Sequence, residues 1–154
     1  MVLIGEQPTE EMIQFKEKSI ASKSIYFLSN IGNLELQQFY QGATVMIFPS
    51  LYEGFGWPIV EAMASGSLVI TTDEDPMKEV AGNAGFYIPK RPSETESVLN
   101  WKMIAAQQLN KVLQLNTEER KDARDKSILN SEKFSAQGFI NSIETTYKEI
   151  LQSQ

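Results

Sequence analysis

Phe48-Pro49-Ser50-Leu51-Tyr52-Glu53-Gly54-Phe55-Gly56-Trp57-Pro58-Ile59-Val60-Glu61-Ala62-Met63-Ala64 decides the fold of this chain. It opens on the end of an apolar run, Val45 to Phe48, that reads as a strand. A loop with two glycines follows, and Pro58 then stands where a first helical turn accepts a fixed φ and a missing amide proton. Strand, glycine-bearing loop and helix in that order are half of a parallel βαβ unit. In open parallel sheets ligands bind beyond the carboxyl ends of the strands, which is where this loop belongs. Gly54 and Gly56 lack Cβ atoms, so the backbone can bend sharply and bring its N–H groups close to a ligand. The helix from Pro58 to Ala64 points its electropositive end at the same spot, a seat for a diphosphate or a sugar hydroxyl.

Two carboxylates frame that bend. Glu61 is expected in the first helical turn, and helical side chains lean toward the N-terminus, so its carboxylate can reach back to the mouth of the site. There it can accept hydrogen bonds from a ribose 2′,3′-diol, as acidic residues do in dinucleotide-binding folds. Glu53, on the loop, would sit nearer a sugar, where it can accept from hydroxyls or support an oxocarbenium-like transition state by charge. A structural reading stands beside this one. The helix dipole favours a glutamate in a first turn whatever the function, and Gly-x-Gly loops are common connections.

Outward from this segment, short apolar runs alternate with helical patterns, the sequence form of an α/β fold with a parallel sheet covered by helices on both faces. The strands read as Val2 to Ile4, Ile25 to Leu28, Val45 to Phe48, Leu68 to Thr71 and Phe86 to Ile88, each too uniformly apolar for one wet face. Helical spacing covers Glu10 to Ala21 and Leu34 to Gln41, and Asp75-Pro76 opens a short helix that Gly82 closes, with Asp75 as its cap. After Pro92 only helices are expected: Thr95 to Leu115, Thr117 to Asn130 and a tail from Ser135 to Leu151. No repeat or linker divides the chain, so residues 1–154 read as one domain. Its sheet starts at residue 2, which predicts that the first unit of a larger α/β domain is missing.

Composition limits the chemistry. The 154 residues are 42% apolar and 22% charged, as in ordinary globular proteins, and no apolar run approaches the ~20 residues of a membrane-spanning helix. Without cysteine there are no disulfides, thiolate metal sites or thiol nucleophiles, which is compatible with a cytoplasmic address. Without histidine, the usual base of serine and cysteine hydrolases and the commonest zinc ligand are missing. A net charge of −6 argues against nucleic acid as a partner.

The string E-G-F-G-W-P-I-V-E-A-M-A-S-G, Glu53 to Gly66, resembles the E-x7-E signature of glycosyltransferase family 4, whose members have the two-domain GT-B fold. Val2-Leu3-Ile4-Gly5-Glu6, Ile25 to Leu28, Leu36 to Phe48, Glu79 to Gly85 and Phe134-Ser135 with the helix after it are similar to the rest of the family's C-terminal domain, in its order. The resemblance implies a Rossmann-like, donor-binding half of a retaining enzyme of the hexosyltransferase type. It implies a nucleoside diphosphate sugar as donor substrate, no permanently bound cofactor and no metal. Glu61 would bind the ribose, Glu53 would lie beside the donor sugar, and Gly54, Phe55 and Gly56 would offer backbone amides to sugar or diphosphate. The acceptor would be a glycan or a lipid-linked saccharide, held by an N-terminal domain that this chain lacks and that could also touch a membrane peripherally. The alternative is a non-catalytic nucleotide-sugar module, inactive alone. A receiver-like or flavodoxin-like domain would leave the signature unexplained.

The family's first C-domain strand and its basic pair for the diphosphate would lie upstream of Met1. Lys16, Lys18 and Lys23 read instead as a solvated face. Where the family often has glycines, this chain has Thr72-Asp73-Glu74-Asp75-Pro76, whose carboxylates would repel a diphosphate, so that loop is left out of the site. Ser29 stands where a glycine is usual. Tyr52 and Trp57 can stack on a sugar or base, although packing beside the sheet is the commoner role. The mixed charges from Glu118 to Lys126 read as a solvated helix face, and Phe139, Ile143, Tyr147 and Ile150 as a stripe that packs on the sheet domain or on the absent one.

Overall fold

Residues 1–152 are described by a computed structural model, as one compact unit from Met1 to Leu36 and a second from Gln37 onward. In the first, β1 (Val2–Ile4) pairs in parallel with β2 (Tyr26–Leu28), Leu3 opposite Phe27, across α1 (Glu10–Lys18). Thr9 caps α1 by accepting from the Met12 amide at 3.3 Å, and glutamates in its first turn and lysines in its last complement the helix dipole. The helix ends before the predicted Ala21. Ser19 is extended there and its hydroxyl accepts from the Ala21 amide at 3.1 Å, a local bond that competes with the helical ladder. A 3₁₀ turn, Ser22–Ser24, leads into β2. The helix α2 (Asn33–Gly42) carries the chain from the first unit into the second.

The second unit holds β3 (Met46–Phe48), β4 (Val69–Thr72) and β5 (Phe86–Ile88), parallel in that order, with Ile70 opposite Ile47 on one side and Phe86 on the other. Strand β4 is central, and its alternating side chains feed two cores. Val69 meets Ile59, Val60, Ala62 and Met63 of α3 (Trp57–Ala64) and Met77, Val80 and Ala81 of α4 (Met77–Ala81). Ile70 meets Leu68, Ile88 and Val112, with Trp101, Ala105 and Leu109 of α5 (Thr95–Leu113) against them. Helices therefore cover both faces, and each fully buried aliphatic side chain contributes roughly 1.5–3 kcal/mol. The helix α6 (Thr117–Glu132) packs on α3 and starts with a reciprocal cap, Asn116 to the Glu119 amide at 3.0 Å and Glu119 to the Asn116 amide at 2.9 Å. The chain ends in α7 (Ala136–Gln152).

Four expectations need correction. The five strands form two separate ladders, and only β4 is buried throughout. Val2, Ile4, Tyr26 and Ile47 are exposed, because a strand loses both wet faces only where neighbours and helices surround it. Asp75 is not a cap: the helix begins after Pro76, whose carbonyl accepts from the Val80 amide at 2.9 Å, and no side chain caps it. Arg120, read as part of a solvated face, donates to the carbonyls of Val112 (2.9 Å), Leu113 (3.5 Å) and Thr44 (3.1 Å), satisfying the last carbonyls of α5. The stripe on α7 is exposed along its length and no residue of α7 is buried, which overturns packing on the sheet domain and leaves a domain outside this chain as its expected partner.

Candidate functional site

The loop from Pro49 to Gly56 leaves the carboxyl end of β3 and is fastened from beneath by the end of β4. Thr71 Oγ1 donates to the Phe48 carbonyl at 2.9 Å and Thr72 Oγ1 to the Ser50 carbonyl at 2.7 Å. Both threonines are fully buried, so their hydroxyls needed partners. At the far end Gly56 takes φ 102°, ψ 41°, a left-handed conformation that an L side chain adopts only at a cost, and a Cβ there would stand 3.3 Å from Ile59 Cδ1. Gly54 has no such constraint, and a Cβ on it would meet nothing within 4 Å.

Phe55 turns its ring inward. It packs against the α3 and α4 core, lies 4.8 Å from Trp57 and meets Phe134 edge to face at 5.5 Å. Phe55 is thus an anchor through its side chain, and what it can offer a ligand is its backbone. Among the described residues, the amides of Gly54, Phe55 and Gly56 donate to no protein acceptor. They lie beside the N-terminus of an eight-residue helix, where orphan donors and the dipole favour negative charge.

Glu53 is half-buried and accepts from Ser50 Oγ at 2.8 Å, so its carboxylate is held on the loop's own frame. Glu61 is not in the first turn of α3. The helix starts at Trp57, one residue earlier than predicted, which puts Glu61 at its fifth position, one turn inside. Its exposed carboxylate receives the Tyr40 hydroxyl at 3.5 Å. Helical side chains lean toward the N-terminus of their helix, which for α3 is the end that the loop enters. Burial, with Glu61 beside it, pushes the Tyr40 hydroxyl up to about 12.

Two carboxylates of the acidic loop after β4 are paired with lysines. Asp73 pairs with Lys78 at 2.8 Å and Glu74 with Lys90 at 3.0 Å, and these bonds raise both lysines above their ordinary range. Lys90 Nζ also lies 4.2 Å from the centre of the Tyr52 ring. Glu74 and Tyr52 are therefore joined through one ammonium at the carboxyl ends of the strands. Tyr52 is 81% exposed and Trp57 57%, so both keep surface open to a ligand, although Trp57 also packs on the Phe55 ring. Lys16, in the first unit, lies 5.7 Å over Phe27, and Ser29 accepts from Gln7 Nε2 at 2.7 Å. Sequence reasoning missed Tyr40, Ser50 and Lys90 as partners of the site. Thr71 and Thr72, polar residues closing a buried strand, carried the one signal that could have been read.

A parallel sheet with helices on both faces and a donor-rich glycine loop at a strand's carboxyl end defines a Rossmann-like α/β domain. The chain belongs to the glycosyl transferases group 1 family, whose model matches residues 1–128. It is 33% identical over 88 residues to the O-antigen chain mannosyltransferase B of Escherichia coli, covering 56% of this chain and 23% of that one. It is 40% identical over 78 residues to the MMP alpha-(1->4)-mannosyltransferase of Mycolicibacterium hassiacum, covering 51% and 18%. The chain thus spans about a fifth of the length of these curated relatives. Its fold is similar to part of the pneumococcal O-GlcNAc transferase GtfA, solved in complex with UDP and GlcNAc, with TM-score 0.70 and 24% identity over 97% of this chain and 29% of that one. Among the described residues no helix is long and apolar enough to cross a membrane.

Proposed function

We propose that this chain is the donor-binding half of a retaining glycosyltransferase and that it binds a nucleoside diphosphate sugar at the loop between β3 and α3. The observation that carries the reading is a row of unpaired amides, Gly54 to Gly56, at a helix N-terminus between two oriented carboxylates. In this reading Glu61 accepts hydrogen bonds from the ribose hydroxyls and the amides take the diphosphate or the sugar. Glu53 faces the donor sugar and stabilises positive charge at its anomeric carbon. An acceptor hydroxyl bonds to that carbon on the face from which the diphosphate leaves. Its proton passes to a departing diphosphate oxygen, so the step balances without a histidine base and retains configuration. A second domain, outside residues 1–154, holds the saccharide or lipid-linked acceptor. The length of the relatives supports that division, and their names make mannose the hexose to try first. The UDP and GlcNAc bound by a protein of the same fold support the ligand class.

Isothermal titration with UDP-, GDP- and ADP-sugars, mannose included, tests the proposal. One base series is expected to bind, with affinity falling at least about tenfold in Glu61→Gln, as for a lost hydrogen bond to a charged group. No heat from any series in a folded sample would refute it.

A further inference from the structure

Tyr40 sits in the last turns of α2 with its ring packed against the core built by α3 and α4, close to Met46 and Phe48 of the same cluster. That packing leaves the hydroxyl little freedom, and it ends 3.5 Å from Glu61 Oε2. An ionised carboxylate can only accept, so Tyr40 is the donor. Burial and the neighbouring charge keep the phenol protonated up to about pH 12, and the donor is thus present at any physiological pH. An exposed glutamate with no such contact samples several rotamers, and ordering them at the moment of binding weakens affinity.

We propose that Tyr40 is a positioning residue for the nucleotide. Its core-anchored hydroxyl holds one oxygen of Glu61, so that the remaining lone pairs meet the ribose diol without further ordering. The inference rests on Glu61 being the ribose acceptor, and the two are separable by experiment.

The probes are UDP, GDP and ADP with their 2′,3′-dideoxy counterparts, titrated into wild type, Tyr40→Phe, Glu61→Gln and the double variant, each first shown to unfold cooperatively. For the nucleotide that wild type binds, Tyr40→Phe is expected to weaken the ribose form about five- to tenfold, within the range of one ordinary hydrogen bond. It is expected to leave the dideoxy form unchanged and to add nothing in the Glu61→Gln background. A tyrosine that only fills the core would lower both nucleotides equally or neither, and either result overturns the inference while leaving Glu61 its role. If Glu61→Gln does not alter the preference for ribose over dideoxyribose, the ribose reading fails and Tyr40 with it.

Discussion

Strand β4 and helix α7 are both marked by apolar residues in the sequence, the first as a continuous run and the second as a stripe, yet they end in opposite environments. Val69 and Ile70 are wholly buried between two helical layers, whereas Phe139 and Tyr147 are each 65% exposed. Periodicity states which side chains share a face. It does not state whether the same chain supplies a partner for that face. For β4 the partners are α3, α4 and α5, all within about 45 residues along the sequence.

The largest effects should fall where that contrast is sharpest. Ile70→Ala opens a cavity in a core packed on both sides and should destabilise the chain by about 2–5 kcal/mol, while Phe139→Ala should change stability by less than about 0.5 kcal/mol. Urea midpoints measure both. Equal losses would mean that the α7 stripe is packed after all.

The two loop glycines make a smaller contrast of the same kind. Gly56→Ala is strained by its positive φ and its approach to Ile59 and should cost about 1–2 kcal/mol. Gly54→Ala meets nothing and should leave thermal unfolding within about 0.5 kcal/mol of wild type. In the proposed site it should nevertheless weaken nucleotide binding, because a methyl group would stand where the ligand approaches. A Gly54→Ala chain that bound as well as wild type would move the ligand away from that amide.

The smallest effect is electrostatic. Tyr40 is pushed up to about 12 from its ordinary 10.0, so the folded chain keeps a proton that the unfolded chain releases. The stability this contributes is whole below about pH 10 and is lost as pH rises toward 12. Tyr87, raised by burial and by Asp73, acts in the same direction. Denaturation midpoints from about pH 9 to about pH 11 should fall less steeply in Tyr40→Phe than in wild type. Parallel curves would show that Tyr40 does not change its environment on folding.

Much of the fold was legible because it is local. All five strands lie within a residue or so of their predicted limits, since short apolar runs bounded by turn residues leave few alternatives. The strand, glycine loop and helix follow one another as expected, with Glu53 on the loop and Glu61 on the helix. What escaped was set by partners remote in sequence. Tyr40 reaches Glu61 across 21 positions, Thr72 reaches Ser50 across 22, and Lys90 reaches Glu74 across 16. No periodicity encodes such pairings. The Asp75 cap failed for a local reason: an aspartate before proline is a good start signal, but Pro76 itself takes the boundary position. Glu61 slipped from the first turn to the second because Trp57, which carries no start signal, begins the helix.

In the proposed site a nucleoside diphosphate sugar seats on the amides between Glu53 and Glu61. An amide-resolved NMR titration of the chain with UDP- and GDP-mannose addresses it directly. Saturable shifts are expected, centred on Gly54, Phe55 and Gly56, with Glu61 responding and α7 silent. Shifts centred elsewhere, or none at saturating ligand, would contradict that placement.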